Sequence, residues 1–323
     1  MTEKSTNNTT NSIHPSFELN KPIRNMDVAD ISENVIREKM PEILDILLMD
    51  RTTSTPKRPK NIIWANDNYI KYGRRAYAAK AQIKAELVVG VMEKVIIPRA
   101  LKSNVMQKSR TRSKAEVFTP VWIVKKQNDT VNDTYKSDDL EKYARRKWLE
   151  ITCGEAPYMT TRYDMETGKM IPLSERVGFV DLKLTRINKE ITDKAEWQRL
   201  VELAYKASYG FEWNGDSLLL ARENLLYTYR DYYFEKWQEE PLHGLFEKIA
   251  MIISYNVFQM DGLNYTVPLT EKKEKVTTTQ LSFDLFGDEE DQEEKWEIKP
   301  GKRVKIMNWD LNKMEFFDRG VKD

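Results

Sequence analysis

Three short apolar runs, each leading to an acid and separated by stretches with helical spacing, constrain this chain more than any other feature. The first, Trp148-Leu149-Glu150, enters the small-residue turn Ile151-Thr152-Cys153-Gly154-Glu155-Ala156-Pro157-Tyr158. The second, Tyr209-Gly210-Phe211-Glu212, is followed by the polar turn Trp213-Asn214-Gly215-Asp216 and a helical pattern reaching Leu226. The third runs from Ile252 to Phe258 and leads into Gln259-Met260-Asp261-Gly262. Strands alternating with helices predict an α/β fold. Ligands of such sheets sit at the carboxyl ends of the strands, which makes Glu150, Glu212 and Asp261 candidate binding acids. A tight turn lets backbone N–H groups approach a ligand, and a strand-end carboxylate is a rigid two-oxygen acceptor for ribose hydroxyls. Taken singly, each acid is equally a solvated strand end; their order gives them weight.

That order resembles the amino-methyltransferases of restriction-modification systems, which use S-adenosylmethionine (AdoMet) to methylate adenine N6 in DNA. Leu149 to Tyr158 is similar to the first AdoMet motif of that family, an acid followed by Pro-Ala-Cys-Gly, a small-residue turn and an aromatic. Glu116-Val117-Phe118-Thr119-Pro120 is similar to the segment that precedes it in members whose AdoMet region comes first. The resemblance covers roughly half the chain. It implies an incomplete Rossmann-like AdoMet-dependent methyltransferase domain with a helical N-terminal region. It also implies that Glu150, Cys153 and Gly154 hold the methionine part, Glu212 the ribose and Asp261 the adenine, with Phe118 and Thr119 closing over the methionine end.

Two departures from the family follow. Gly154-Glu155-Ala156 stands where the family has Gly-x-Gly. The catalytic tetrapeptide, Asn or Asp-Pro-Pro-Tyr or Phe, is missing, since all 12 prolines are isolated. That loop binds the flipped adenine, and extruding a base with no pocket to receive it gains nothing. The chain alone is therefore expected not to methylate. The expected partner is a second methyltransferase chain carrying the catalytic and target-recognition parts, with double-stranded DNA as substrate. The competing expectation is a non-enzymatic adaptor of degenerate methyltransferase fold that holds a partner on DNA or on the sliding clamp.

The 323 residues, 40% of them hydrophobic, allow one large or two ordinary domains. The net charge of +1 conceals local segregation. One cysteine excludes an internal disulfide framework, and the absence of a signal-peptide pattern or long apolar span leads us to expect a cytoplasmic protein with no membrane partner. His14 and His243 are far apart and suggest no zinc site, and Cys153 reads as a packed residue rather than a nucleophile.

The expected divisions are a disordered tail over 1–22, a helical accessory region over 23–110, and the AdoMet domain over 111–265 with an insertion at about 160–205. A mobile acidic loop over 266–295 and a terminal hairpin over 296–323 follow. A helix is expected from Ile31 to Asp50, interrupted at Pro41, and another from Trp197 to Ala207. The basic, aromatic-bearing run with Lys71, Arg74, Arg75 and Tyr77 reads first as an amphipathic surface with its tyrosines inward, and second as a nucleic-acid surface. Leu101 to Lys114 carries Lys102, Lys108, Arg110 and Arg112 and no acid. Such a loop neutralises DNA phosphates or faces an acidic partner, so Lys108, Arg110 and Arg112 are the candidate DNA contacts. Asp164, Asp181 and Lys183 have a spacing like that of metal-dependent nucleases, a pattern that arises readily by chance in a chain with 32% charged residues. Gln280 to Phe286 resembles the peptide by which bacterial proteins bind the sliding clamp, making the clamp a further candidate partner.

Overall fold

The computed structural model describes residues 33–102, 119–275 and 296–319. Helix α1 (Glu33–Lys39) and helix α2 (Pro41–Leu48) are separated at Met40, since the residue before a proline is pushed out of the helical region. Helix α2 buries Ile43, Leu44, Leu47 and Leu48. The expected helical region does not continue beyond it. Residues 49–102 form short 3-10 turns and isolated bridges. Trp64, Tyr69, Tyr77 and Ile83 from this stretch share one core with the later helices, so the segment is part of the main body. Tyr77 packs 5.2 Å from Trp64 while Lys71, Arg74 and Arg75 stay exposed, as the amphipathic reading expected, but Tyr72 in the same run is exposed rather than turned inward.

Helices α3 (Val121–Tyr135) and α4 (Leu140–Ala144) lead into strand β1 (Trp148–Glu150). Helices α5 (Phe179–Glu190) and α6 (Lys194–Lys206) connect it to strand β2 (Ser208–Glu212). Helices α7 (Gly215–Trp237) and α8 (His243–Asn256) then lead to strand β3 (Val257–Gln259). The three strands form a parallel sheet in the order β1-β2-β3, with Glu150 opposite Gly210 and Glu212 opposite Gln259. The chain is thus α/β, as expected.

The third strand is shorter than the apolar run suggested. Ile249, Ile252, Ile253 and Asn256 continue the helical spacing of Phe246, and all are buried. Asn256 then ends the helix by donating to the carbonyls of Tyr205, Lys206 and Ser208 at 2.9, 3.0 and 3.2 Å.

Helix α7 lies at the centre, buried around most of its circumference, and several of its charged and polar residues are paired with distant parts of the chain. The Glu223 carboxylate accepts from Arg37 Nε and Nη2, each at 2.9 Å. Asp231 pairs with Arg162 and Arg176, and Asn224 donates to the Glu155 carbonyl at 3.0 Å. Gly215 is required at the helix start, because a Cβ there would lie 2.1 Å from the Ile63 carbonyl oxygen.

Strand β4 (Lys272–Lys275) pairs antiparallel with β5 (Trp296–Lys299), and β6 (Lys305–Asn308) with β7 (Lys313–Phe316). The expected terminal hairpin is therefore the second pair, with Asn308 at its turn accepting from the N–H groups of Asp310 and Leu311. It lies over a face of the parallel sheet, packing Ile306 and Phe317 with Phe211 and Phe258, and does not extend the sheet's edge. No helix among the described residues is long and apolar enough to cross a membrane.

Candidate functional site

A cleft of about 720 Å³ opens at the carboxyl ends of β1 and β2 and is lined by Thr119, Glu150, Cys153, Gly154 and Glu212, five of the seven expected cofactor residues. Strand β1 ends on Glu150, whose side chain points into the turn that follows and accepts from the N–H groups of Tyr158 (3.2 Å) and Met159 (2.9 Å). The turn is tightly wound: Thr152, Gly154 and Ala156 have φ of 47°, 54° and 64°. Left-handed backbone is a genuine outlier for a β-branched residue such as Thr152, and strain of this kind concentrates at functional sites. A Cβ on Gly154 would meet nothing within 4 Å, so its backbone is open to an approaching ligand.

Glu212 joins the two strand ends. One of its oxygens accepts the Gly154 N–H at 2.9 Å, the other the Asn214 backbone N–H at 3.0 Å and side-chain amide at 3.1 Å. A third carboxylate, Glu155, accepts the Arg99 N–H at 2.8 Å and the Tyr163 hydroxyl at 2.7 Å. Burial pushes all three carboxyls above the ordinary glutamate range, and Glu150 reaches about 8 despite the opposing pull of its two N–H donors. Such a cleft favours a cationic ligand that also donates hydrogen bonds, since the positive charge is stabilised by ionised carboxylates and lowers the cost of ionising them.

Asp261 is not brought to the cleft. Its carboxylate accepts from the N–H groups of Leu263 (2.9 Å) and Asn264 (3.2 Å) and from the Asn264 side chain (2.8 Å), closing its own turn. The wall on that side is instead Trp213, whose indole N–H donates to the Ala65 carbonyl at 2.9 Å, with Ala65 itself and Ser217. Arg99, Glu155, Trp213 and Asn214 are lining residues that the sequence reading missed; the only signal was their adjacency to Gly154 or Glu212, and Arg99 had none. Phe118, Lys108, Arg110, Arg112 and the Gln280–Phe286 peptide lie outside the described residues.

Other candidates have structural roles. The Asp181 carboxylate holds the N–H groups of Thr161 (2.8 Å) and Gly178 (3.1 Å), and Lys183 donates to the Arg146 carbonyl at 2.7 Å. Asp164 sits in a separate turn, accepting from the Thr167 N–H at 2.7 Å. Lys102 is buried rather than part of a solvated loop. Burial pushes the Cys153 thiol up, so it is a packed, unreactive group. No family model matches the chain, and no curated protein or solved structure matches it significantly.

The raised Glu150 carboxyl has a stability consequence. A folded-state value of about 8 against an ordinary 4.5 means that the protonated form stabilises the fold. That contribution is complete below the lower value and is lost as pH rises through the upper one. Glu150→Gln abolishes the titration, so its melting temperature relative to the wild type is expected to climb between pH 5 and pH 8.5. A pH-independent difference in thermal unfolding would refute the buried, neutral carboxyl.

Proposed function

We propose that the chain is the AdoMet-binding subunit of a split adenine-N6 DNA methyltransferase of a restriction-modification or phage-defence system, with the catalytic loop and target-recognition part on a second chain. The observation that carries this reading is the meeting of Glu150 and Glu212, from the ends of adjacent parallel strands, around the half-buried Gly154, beside which a Cβ would meet nothing, in one cleft. AdoMet is a sulfonium with an ammonium group and ribose hydroxyls, which suits a cleft lined by buried carboxylates. On this reading Glu212 takes the ribose, the Glu150 to Gly154 turn takes the methionine part with Phe118 and Thr119 beside it, and Trp213 replaces Asp261 at the adenine. Lys108, Arg110 and Arg112 neutralise DNA phosphates, and the complex works in the cytoplasm.

Isothermal calorimetry tests the cofactor assignment. The isolated chain is expected to bind AdoMet, and Glu212→Ala to lose tenfold or more in affinity, because a charged hydrogen-bond partner contributes about 1.5–3 kcal/mol. Glu212→Gln, which keeps an acceptor for Gly154, should fall between the two. No heat at millimolar AdoMet, or binding unchanged in Glu212→Ala, removes AdoMet from the cleft. One observation favours the adaptor reading: both Glu212 oxygens are already engaged within the chain, by Gly154 and Asn214. In that case the protein holds a partner on DNA, or on the sliding clamp through Gln280 to Phe286, and the calorimetry shows no binding.

A further inference from the structure

The two edges of the parallel sheet are treated differently. The outer edge of β3 is sealed: the Arg222 guanidinium donates to the Val257 carbonyl at 2.7 Å, and the Gln259 side chain exchanges hydrogen bonds with the Ile63 N–H (2.9 Å) and carbonyl (2.8 Å). The outer edge of β1 is open, for β2 is its only neighbour among the described residues. The register turns the backbone of Trp148 toward β2, where its N–H reaches the Ala207 carbonyl at 3.0 Å. By the alternation of a strand, the N–H and C=O of Leu149 point the other way. Unpaired groups in such a row are a template for another strand.

The side chains agree with the backbone. Leu149 stands opposite Tyr209, on the face where Phe211 and Phe258 are covered by the β6–β7 hairpin. That cover reaches Tyr209, whose hydroxyl donates to the Met307 carbonyl at 3.4 Å, and stops there. Leu149 and Ile151 remain 45% and 66% exposed. On the opposite face α3 buries only Val124 and Asn128 and leaves Trp122 67% exposed. Leu149 and Ile151 are therefore apolar side chains left exposed beside the unpaired edge of β1.

We propose, resting on the split-enzyme reading, that a strand of the second chain pairs parallel with β1 alongside Leu149 and that the element following it covers Leu149 and Ile151. The direction follows from the position of the cleft. In open α/β sheets ligands bind at the carboxyl ends of strands where the order reverses, and the second half of the sheet begins beside the first strand of the first half. A parallel strand, about 4.8 Å from β1, ends beside Glu150 and delivers its following loop into the cleft. An antiparallel strand would deliver its loop to the far end of the sheet.

The test uses the full chain co-expressed with the polypeptide encoded by the adjoining reading frame. In the resulting complex, hydrogen–deuterium exchange at the Leu149 amide is expected to slow at least tenfold relative to the isolated chain. Leu149→Glu, which places a charge on the bare face, and Leu149→Pro, which removes the outward N–H and is tolerated on an edge strand, are each expected to weaken the complex tenfold or more. Isolated Leu149→Glu should still bind AdoMet within twofold of the wild type. Failure to form a complex, or a complex in which the Leu149 amide exchanges freely and both variants assemble normally, overturns the proposal. Protection that grows with the concentration of the isolated chain also overturns it, assigning the edge to a second copy. Protection in the complex without AdoMet binding by either partner leaves the strand pairing standing and defeats the cofactor reading instead.

Discussion

Purified alone, the chain is expected to transfer no methyl group to DNA, and together with a chain carrying an Asn-Pro-Pro-Tyr or related loop to methylate adenine N6. The reason lies in what the cleft contains. On the proposed reading Glu150, Glu212 and the Gly154 backbone would hold the cofactor, and the one thiol present, Cys153, is buried with its ionisation suppressed. Glu150, Glu212 and Gly154 would hold AdoMet, which would supply the methyl group, while the group accepting the adenine amino proton would have to come from the base-binding loop of the second chain. That loop must also stack on the extruded base. The readout is tritium incorporation from labelled AdoMet into duplex DNA. Changing Glu150 to Ala here, or the catalytic Asn or Asp in the partner, should each reduce the rate by about a hundredfold or more, the usual cost of removing a preorganised hydrogen-bonding group from an active site. Incorporation by the partner at the same rate without this chain would refute the division of labour, and a stable complex that never incorporates label would favour the adaptor.

The parts of this site that were legible in the sequence are those fixed by local pattern. Strand β1 ends at Glu150 and β2 at Glu212 because each acid closes a short apolar run before a polar turn, and a strand in a parallel sheet stops where its apolar residues do. Asp261 follows the same pattern but fails for a local reason. An Asp at the head of an Asp-Gly-Leu-Asn turn has backbone donors two and three residues on, which capture its carboxylate before any ligand does. The boundary of β3 failed because Ile252, Ile253 and Asn256 satisfy the helical period as well as they satisfy an apolar strand, and only the core packing decides between them. Residues 49–102 carry no sustained period, so nothing local announced that Ala65 and Arg99 reach the cleft. The distinction between the sealed edge of β3 and the open edge of β1 depends on contacts between residues far apart in sequence, such as Arg222 with Leu47, and was equally invisible.

Arg222 is the residue whose loss should cost the fold most. Its guanidinium is buried and donates to four carbonyls: Leu47, Met49 at 3.0 Å, Val257 at 2.7 Å and Ser254 at 3.2 Å. Leu47 belongs to the last turn of α2, whose carbonyls have no partner within their own helix, and Val257 presents its carbonyl on the outer edge of β3. One side chain therefore closes a helix end and a sheet edge together and fastens the segment after Leu48 against the sheet. Arg222→Met preserves much of the volume and removes a buried charge, a gain that offsets part of the damage. It leaves three buried acceptors, and the half-buried Met49 carbonyl, without this donor, each buried one worth about 1–3 kcal/mol. The net loss is expected to be at least about 3 kcal/mol, read from the shift in denaturant midpoint at unchanged slope. Arg145→Met is the matched control, since Arg145 forms an exposed pair with Glu141 one helical turn away and should change stability by no more than about 0.5 kcal/mol. Because Ala65 and Trp213 meet where the fastened segment reaches the cleft, a folded Arg222→Met protein should also lose AdoMet affinity while the control does not. If Arg222→Met unfolds within about 1 kcal/mol of the wild type, water or a rearranged backbone is satisfying those carbonyls, and the β3 edge is not held by this side chain.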